Sequence, residues 1–303
     1  MNIIKFKTQD GASQLAVVKE DHSIYLLPYQ DFLEIIEQAE ENDVTCLSLV
    51  KEAIQDSKPI GQKLEDLHLL LPLNAEEVWA SGVTYLKSKR ARNYEAHEGK
   101  EEVSDSYYDK VYEAERPELF MKSTSRRTIG PNQPVYLRND SNWQIPEPEL
   151  GLVLNKQGKI VGYTVGNDMS SRDIEGENPL YLPQAKIWKH SCSFGPSIRL
   201  AETVNNPYEL TITCTISRNG SKIFEESAST SQLKRKYDEL VEYLHRDNEL
   251  FDGTVLFTGT CIIPDNDFTL QDGDLIEITI PEIGTLRNPV EKLAVQHTSS
   301  VSN

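Results

Sequence analysis

Long apolar runs are missing from this sequence of 303 residues. A transmembrane helix needs roughly 18 or more consecutive apolar residues, and no segment approaches that length. The first ten residues also lack the apolar core of a secretory signal peptide. We therefore expect a cytoplasmic protein that has no membrane partner.

Positive charge is in the minority, because 31 Lys and Arg residues face 48 Asp and Glu residues, giving a formal net charge of −17. Proteins that bind nucleic acids or anionic membranes present clustered Lys and Arg side chains. The charge balance thus argues against both classes of partner. The hydrophobic share of 38% is nevertheless sufficient for a folded core.

Cysteine is scarce and scattered, at Cys46, Cys192, Cys214 and Cys261. No two of these residues form a CxxC pair. The pattern therefore indicates neither a disulfide framework nor a zinc site. It agrees with a cytoplasmic location.

The pattern of predicted elements divides the chain into a small module at residues 1–75 and a larger domain at residues 76–303. The first part predicts short strands and two helices, the first of them capped by Asp31, at residues 3–7, 14–18, 23–27, 31–40 and 44–55. The second part predicts mainly strands, including residues 135–138, 149–154, 160–165, 210–217 and 275–280. Helical patterns interrupt them at residues 86–115 and 231–245. We expect an α+β, mostly β fold rather than an alternating parallel α/β fold.

The helical insertion at residues 86–115 begins with four basic residues, Lys87, Lys89, Arg90 and Arg92, and continues with acidic ones. Such a run is typical of a solvated helix face. The alternative is a mobile lid whose basic end faces an anionic ligand.

Three carboxylates are expected to converge on one face of a β-hairpin. Glu147 and Glu149 are two residues apart, so on a strand their side chains point the same way. If the turn at residues 155–158 is symmetric, Asp168 lies opposite Ile145 and shares that face. The flanking prolines favour an edge strand at the mouth of a site.

Three anionic carboxylates on one face repel one another unless their pKa values rise or a cation holds them. Oxygen ligands favour Mg²⁺, Mn²⁺ or Ca²⁺, and Mg²⁺ would keep positions open for water and substrate. Glu147, Glu149 and Asp168 are thus candidate metal ligands. The alternative is an exposed acidic strand in an acidic protein.

Lys186 stands among apolar neighbours in the segment Gln184-Ala-Lys-Ile-Trp188. A desolvated lysine near a metal can have a lowered pKa and exchange protons near neutrality. Taken alone, an ordinary surface lysine is the simpler interpretation.

These residues belong to a set of short motifs that resembles the fumarylacetoacetate hydrolase superfamily. In order, the motifs are Glu-Pro-Glu-Leu at residues 147–150, Gly-Asn-Asp-Met-Ser-Ser-Arg-Asp at 166–173, Gln-Ala-Lys at 184–186, Gly-Pro at 195–196 and Thr-Gly-Thr at 258–260. The resemblance implies a mixed β-roll with a small N-terminal α/β module and a helical lid insertion. It also implies Mg²⁺ or a similar ion on Glu147, Glu149 and Asp168, the family's lysine at Lys186, and a homodimer or homotetramer.

One departure from the superfamily bears on the reaction. The hydrolases carry a Gly-x-Asn-Tyr-x-x-His pattern, whose histidine activates water together with a glutamate. The matching stretch is Gly82-Val-Thr-Tyr-Leu-Lys-Ser88, so Ser88 stands in place of the histidine. His97 lies in a similar stretch at residues 93–97, which we interpret as a chance match.

Other segments resemble the sugar-acid dehydratases of the superfamily, namely residues 116–122, 146–150, 177–186, 246–248, 252–254 and 258–260. The resemblance implies a metal-dependent hydro-lyase that converts a five-carbon 2-oxo-3-deoxy aldonate into 2,5-dioxopentanoate. Lys186 and Glu118 are the candidate acid and base, with their roles left open. The expected substrate contacts are Ser81, Arg90, Lys122 and Thr260.

Two other functions remain open at this point. One is a hydrolase, decarboxylase or isomerase of a 2,4-diketo acid, using His97 or a metal-activated water. The other is a non-catalytic, metal-dependent binder of oxo acids.

Overall fold

A computed structural model describes residues 1–96 and 107–293. The elements of the N-terminal part are β1 (Asn2–Lys7), β2 (Ser13–Val18), β3 (Ile24–Leu26), α1 (Phe32–Glu41), α2 (Cys46–Ala53) and β4 (His68–Leu70). Asp31 is confirmed as the N-cap of α1, since its carboxylate accepts a hydrogen bond from the backbone N–H of Leu33 at 3.2 Å.

Strands dominate the remainder of the described chain, which confirms the mostly β fold. From the N-terminus, they are β5 (Glu77–Gly82), β6 (Glu118–Thr124), β7 (Thr128–Ile129), β8 (Val135–Leu137), β9 (Gln144–Ile145), β10 (Pro148–Leu154), β11 (Ile160–Asp168), β12 (Ser170–Ser171), β13 (Cys192–Leu200), β14 (Thr211–Arg218), β15 (Ser221–Ser229), β16 (Thr254–Phe257), β17 (Leu275–Ile280) and β18 (Gly284–Lys292). The helices are α3 (Leu86–Ala96), α4 (Tyr107–Glu113), α5 (Arg172–Glu177), α6 (Leu182–Lys186) and α7 (Tyr237–His245).

One helical prediction needs correction. The segment predicted as one helix at residues 231–245 forms a helix only from Tyr237, because residues 230–232 make a 3₁₀ turn and Glu239 accepts a hydrogen bond from the Lys236 N–H. The insertion at residues 86–115 contributes α3 and α4 to the described part. His97 and the stretch that follows it lie outside the described residues. Among the described residues, no helix is both long and apolar enough to cross a membrane.

The larger sheet joins both parts of the chain. Its strands run in the order β3-β2-β1-β13-β11-β10-β16-β5-β6, with β4 on β1 and β7 on β13. The junction is antiparallel and pairs Ile3 with Ile198. Side chains of α1, such as Phe32, share a hydrophobic cluster with Phe194 and Phe257 of the central strands. The N-terminal module thus extends the sheet and covers one of its faces.

The other face of the central strands packs on a second sheet, with strand order β15-β14-β17-β18-β8. Leu150 and Leu152 of β10 belong to the hydrophobic cluster between the two sheets, together with Cys214 and Ile278. Val153 belongs to the cluster on the opposite face. This alternation follows the two-residue period of a strand buried on both faces. On the face that carries Glu149, the beginning of β10 and the end of β11 bear no apolar side chains.

The pairing of β10 with β11 differs from the prediction by two residues. Glu149 pairs with Gly166, and the Asp168 N–H donates to the Glu147 carbonyl at 3.0 Å, so Asp168 lies opposite Glu147 and not Ile145. The cause is an asymmetric turn, in which the Asn155 N–H bonds to the Lys159 carbonyl, together with a bulge next to Leu154. Since a shift of two residues preserves the face of every side chain, the three carboxylates still converge.

The predicted edge strand is wrong, because β10 lies between β11 and β16 in the middle of the sheet. Pro148 is its first residue, and the ladder with β16 begins only at Gly151. The absent N–H of Pro148 therefore disturbs no pairing with β16, which is why a proline fits at this position.

Candidate active site

Three buried carboxylates form the centre of the candidate site. Glu147 precedes β10, Glu149 lies within it and Asp168 ends β11, and each offers an oxygen within 4.8 Å of the others. Their residues are between 1% and 6% exposed. The interpretation as an exposed acidic strand is therefore excluded for these residues.

The electrostatics of the cluster fit a bound cation. Burial raises the pKa of Glu149 well above its usual range, and the neighbouring Asp168 and Glu147 raise it further. Burial likewise raises the pKa of Glu147. A set of oxygen ligands carrying like charges in a dry site is typical of a hard divalent cation. These three residues could therefore hold Mg²⁺.

A glycine holds one of the carboxylates in place. The Gly259 N–H donates a hydrogen bond to Glu149 Oε2. The backbone of Gly259 has a φ of +94°, and a Cβ there would lie 1.9 Å from Thr84 Oγ1. The motif Thr258-Gly-Thr260 thus requires glycine at this point because the backbone comes so close to Glu149 and Thr84.

Lys186, the last residue of α6, is directed into the cluster. Its Nζ lies 2.5 Å from Glu147 Oε2, 2.5 Å from Ser170 Oγ and 3.4 Å from Asp168 Oδ2. Burial alone would lower the pKa of Lys186, but Asp168, Glu147 and Glu175 together outweigh burial and raise it. Without a cation on the carboxylates, these neighbours thus favour the charged form of Lys186, and the lowered pKa expected beside a metal stays a prediction.

Lys122 of β6 lies behind this cluster and is fully buried. Its Nζ donates to the carbonyls of Met169, at 2.8 Å, and of Lys186, and it lies 2.6 Å from Asp168 Oδ1. These contacts fix one carboxylate and the backbone that carries Lys186. A direct contact of Lys122 with substrate, as expected from the sequence, would have to replace one of them and stays a prediction.

Glu118 begins β6 and projects from the same face of the strand as Lys122. It pairs with Gly82 of β5, where an added Cβ would lie 2.3 Å from Glu118 Oε2. That oxygen is buried and has no hydrogen-bond partner. Burial raises the pKa of Glu118. The structure thus places a half-buried carboxyl group near Arg92, and a direct role of Glu118 in the reaction stays a prediction.

Two charged residues of the site, Arg92 and Glu175, were not among the predicted site residues. Arg92 Nη1 lies 2.6 Å from Glu175 Oε1, and that same oxygen lies 3.6 Å from Lys186 Nζ. Arg92 Nη2 lies 3.9 Å from Glu118 Oε1. Burial would raise the pKa of Glu175, but Arg92, Lys186 and Arg172 lower it, so this residue is a carboxylate. Arg172 in turn lies 3.5 Å from Glu147 Oε1.

Helical spacing offered a signal for Arg92. Ser88 and Arg92 are four residues apart on α3 and both are buried, whereas the expected substrate contact Arg90 is exposed on the other side of the helix. The structure does not bring Arg90 into the cluster, whereas Arg92, in the described part of the insertion, reaches the site through its contact with Glu175. For Glu175 the only indication in the sequence is its spacing of three residues from Arg172.

Three hydroxyl groups named in the sequence analysis bond to the backbone. Ser81 Oγ donates to the Phe257 carbonyl at 2.7 Å, and Thr260 Oγ1 lies 3.2 Å from both the N–H and the carbonyl of Ile262. Contacts of Ser81 and Thr260 with substrate stay predictions. Ser88, in place of the hydrolase histidine, bonds to the Tyr85 backbone at the start of α3.

A cavity of about 310 Å³ lies beside Arg92 and Glu175, and we call it the side cavity. Its lining includes Arg92, Arg116, Glu118, Glu175, Pro179 and Leu182. Glu175 lines this cavity and its Oε1 lies 3.6 Å from Lys186 Nζ, so this residue connects the side cavity with the carboxylate cluster.

Comparison with known proteins gives the family. Residues 88–291, more than half of the chain, match the family described as fumarylacetoacetate (FAA) hydrolase C-terminal. The chain therefore belongs to the fumarylacetoacetate hydrolase family. The resemblance inferred from the short motifs is confirmed.

Particular relatives narrow the comparison. The chain is 48% identical over 242 residues to a probable 2-keto-3-deoxyxylonate dehydratase of Haloferax volcanii, covering 80% of this chain and 81% of the relative. It is 46% identical over 230 residues to the 2-dehydro-3-deoxy-D-arabinonate dehydratase of Saccharolobus solfataricus, covering 76% of each chain.

A solved structure agrees with both relatives. It is a 2-keto-3-deoxy-D-arabinonate dehydratase complexed with magnesium and 2,5-dioxopentanoate, and it matches with a TM-score of 0.80 and 38% identity. The match covers 97% of this chain and all of the solved one. The similarity therefore includes the N-terminal strands as well as the candidate site.

Proposed function

We propose that this protein is a metal-dependent hydro-lyase that converts a 2-oxo-3-deoxy pentonate into 2,5-dioxopentanoate. The observation that carries the proposal is the buried cluster of Glu147, Glu149 and Asp168 with Lys186 against it, in a chain 46–48% identical to two sugar-acid dehydratases. The magnesium complex of the similar solved structure supports Mg²⁺ as the cation.

The three carboxylates would hold the cation, and Lys122 and the Gly259 N–H keep two of them in place. When bound, Mg²⁺ supplies Lewis acidity at the 2-oxo group of the substrate. Buried carboxylates, Lys186 and a closed surrounding also exclude bulk water, which strengthens every electrostatic interaction in the site.

The reaction requires acid and base groups beside the substrate. C3 gives up a proton, and the C4 hydroxyl leaves with another proton as water, which forms a C3=C4 double bond. The carbon and the hydroxyl at C5 then each give up a proton while C3 and C4 each gain one, which yields the aldehyde. Lys186, whose Nζ is buried against Glu147, and the half-buried Glu118 are our candidates for the acid and the base.

A substrate panel tests the proposal. The metal-loaded protein is incubated with each 2-keto-3-deoxy pentonate and with a 2,4-diketo acid, and 2,5-dioxopentanoate is identified by NMR. We expect the dioxo acid from a pentonate and no carbon–carbon cleavage of the diketo acid. Lys186→Ala should slow the dehydration by about a hundredfold or more. Full activity of this variant contradicts the assigned role of Lys186, and cleavage of the diketo acid alone favours the hydrolase alternative.

We also propose that the protein is a cytoplasmic homodimer or homotetramer that acts on a small 2-oxo sugar acid. The free state of all four cysteines supports a reducing compartment. Family resemblance supports the assembly. Light scattering on the purified protein tests the oligomeric state, and a mass of one chain contradicts it.

A further inference from the structure

The side cavity contains a charge pair that the proposed chemistry does not use. The side chains of Arg92 and Glu175 are only 6% and 1% exposed, and their nearest atoms are 2.6 Å apart. Removing one partner of such a desolvated pair leaves the other charge poorly compensated. Glu175 is therefore the carboxylate that most directly compensates the charge of Arg92 in this cavity.

The remaining walls favour a neutral ligand group. Pro117, Pro179 and Leu182 supply apolar surface, and Val111 and Ala114 add to it. A carboxylate that enters such a space loses its hydration and needs a cation in return. Arg116 is exposed at the rim, with its guanidinium 5.3 Å from the centre of the Tyr243 ring, so Arg92 is the buried cation among the described lining residues.

Glu175 suits this neutralising role better than Glu118 does. It lies 2.6 Å from Arg92, whereas the nearest oxygen of Glu118 lies 3.9 Å away. The neighbouring cations Arg92, Lys186 and Arg172 lower the pKa of Glu175 against the effect of burial, while burial raises the pKa of Glu118. Both the shorter distance and the lowered pKa thus identify Glu175 as the main counter-ion of Arg92.

We propose that Glu175 is a specificity-determining residue, which neutralises Arg92 so that the side cavity accepts a hydroxyl-bearing chain end and rejects a second carboxylate. This proposal rests on the proposed function, because it takes the 2-oxo acid group to bind at Glu147, Glu149 and Asp168. Within the same family, relatives only 26% identical are named oxaloacetate tautomerases, and oxaloacetate carries two carboxylates. Rejection of a second carboxylate would therefore exclude dicarboxylates such as oxaloacetate from the site of this protein.

Two probes of equal chain length test the proposal. Binding of 2-oxopentanoate and 2-oxoglutarate to the magnesium-loaded protein is measured by calorimetry, and the ratio of the two dissociation constants is compared between variants. We expect 2-oxoglutarate to bind the wild type at least about tenfold more weakly than 2-oxopentanoate, a difference of ~1.4 kcal/mol. In Glu175→Gln this ratio should fall about tenfold, because Arg92 is then less compensated.

The ratio isolates the side cavity, because any effect of Glu175→Gln on Lys186 applies to both acids. Glu177→Gln is the matched control, since Glu177 is an exposed carboxylate on the same helix α5 and should leave the ratio unchanged. Arg92→Gln should shift the ratio the other way, at least tenfold further against 2-oxoglutarate. This variant also decides the matter if Glu175→Gln fails to fold.

An unchanged ratio in folded Glu175→Gln, an equal change in Glu177→Gln, or no binding of either acid to the wild type overturns the proposal. Since binding needs no turnover, the result is independent of the dehydration assay. A protein that shows the expected ratios but forms no 2,5-dioxopentanoate supports the role of Glu175 and contradicts the proposed reaction.

Discussion

Glycines leave space for the carboxylates of the site, and Gly82 is the clearest example. A Cβ at this position would meet Glu118 Oε2 at 2.3 Å, so Gly82→Ala should displace the Glu118 carboxyl. Since Glu118 is not one of the three metal candidates, we expect turnover to fall about tenfold or more while magnesium affinity stays unchanged. Steady-state kinetics and calorimetry on the same preparation measure both quantities.

Gly61→Ala is the control for this substitution, because Gly61 is exposed and a Cβ added there would meet nothing within 4 Å beyond its chain neighbours. It should leave both quantities at the wild-type values. Wild-type turnover in Gly82→Ala would mean that the position of Glu118 does not matter to the reaction.

The residue scale also shows what the sequence could predict about the site. The three carboxylates and Lys186 could be found because a two-residue strand period and short motifs identify them. Arg90 was chosen in place of Arg92 because charge counts ignore which side of α3 is buried. Glu175 gave little signal, since a six-residue helix is too short to show a periodic pattern.

At the scale of single elements, the cap of α1 is expected to matter for stability. The Asp31 carboxylate accepts a hydrogen bond from the Leu33 N–H and lies 2.9 Å from Lys5 Nζ, which joins α1 to β1. Asp31→Ala should lower the free energy of unfolding by ~1–2 kcal/mol, because it removes both interactions. Urea unfolding followed by circular dichroism measures the change.

Glu37→Ala is the matched control for Asp31→Ala, since Glu37 is an exposed carboxylate on the same helix. We expect it to change the stability by less than ~0.5 kcal/mol. If both variants lose the same amount, the loss comes from helix α1 in general and not from its cap.

The β10–β11 hairpin shows why element boundaries could be predicted better than their pairing. Both strands were expected close to their observed limits. The register depended on the turn at residues 155–158, where a bulge next to Leu154 adds a residue that the sequence pattern does not reveal. The convergence of the carboxylates could still be predicted, because only the face of each strand was needed for it.

At the scale of the whole molecule, all four thiols are buried and free. Burial raises the pKa of Cys46, Cys192 and Cys261 to about 12 and that of Cys214 further still. Because the thiolate is the reactive form, the native protein should react with a disulfide reagent such as DTNB only over hours.

The same reagent should titrate four thiols per chain within minutes in denaturant, in accord with the four cysteines of the sequence. The absorbance of the released thiolate measures both rates. Rapid reaction of any thiol in the native protein would mean that part of the described core opens readily.

The joining of the N-terminal strands to the central sheet could not be predicted from local patterns. Strand β1 pairs with β13 through Ile3 and Ile198, which are far apart in the chain. The sequence of neither strand identifies its pairing partner, because the partner is chosen by contacts between segments that are far apart in the chain. The similarity to a solved structure over 97% of this chain agrees with an N-terminal module built into the fold.

The most direct measurement follows the metal dependence of the reaction. The protein is stripped of divalent cations with a chelator, and formation of 2,5-dioxopentanoate from the preferred pentonate is recorded as Mg²⁺ is added. We expect no product without the cation and saturable recovery in the wild type. Glu149→Gln should show no recovery at concentrations that saturate the wild type, because one ligand of the carboxylate cluster loses its charge. Full activity in the chelator, or wild-type recovery in Glu149→Gln, would contradict a metal-dependent dehydratase built on these three carboxylates.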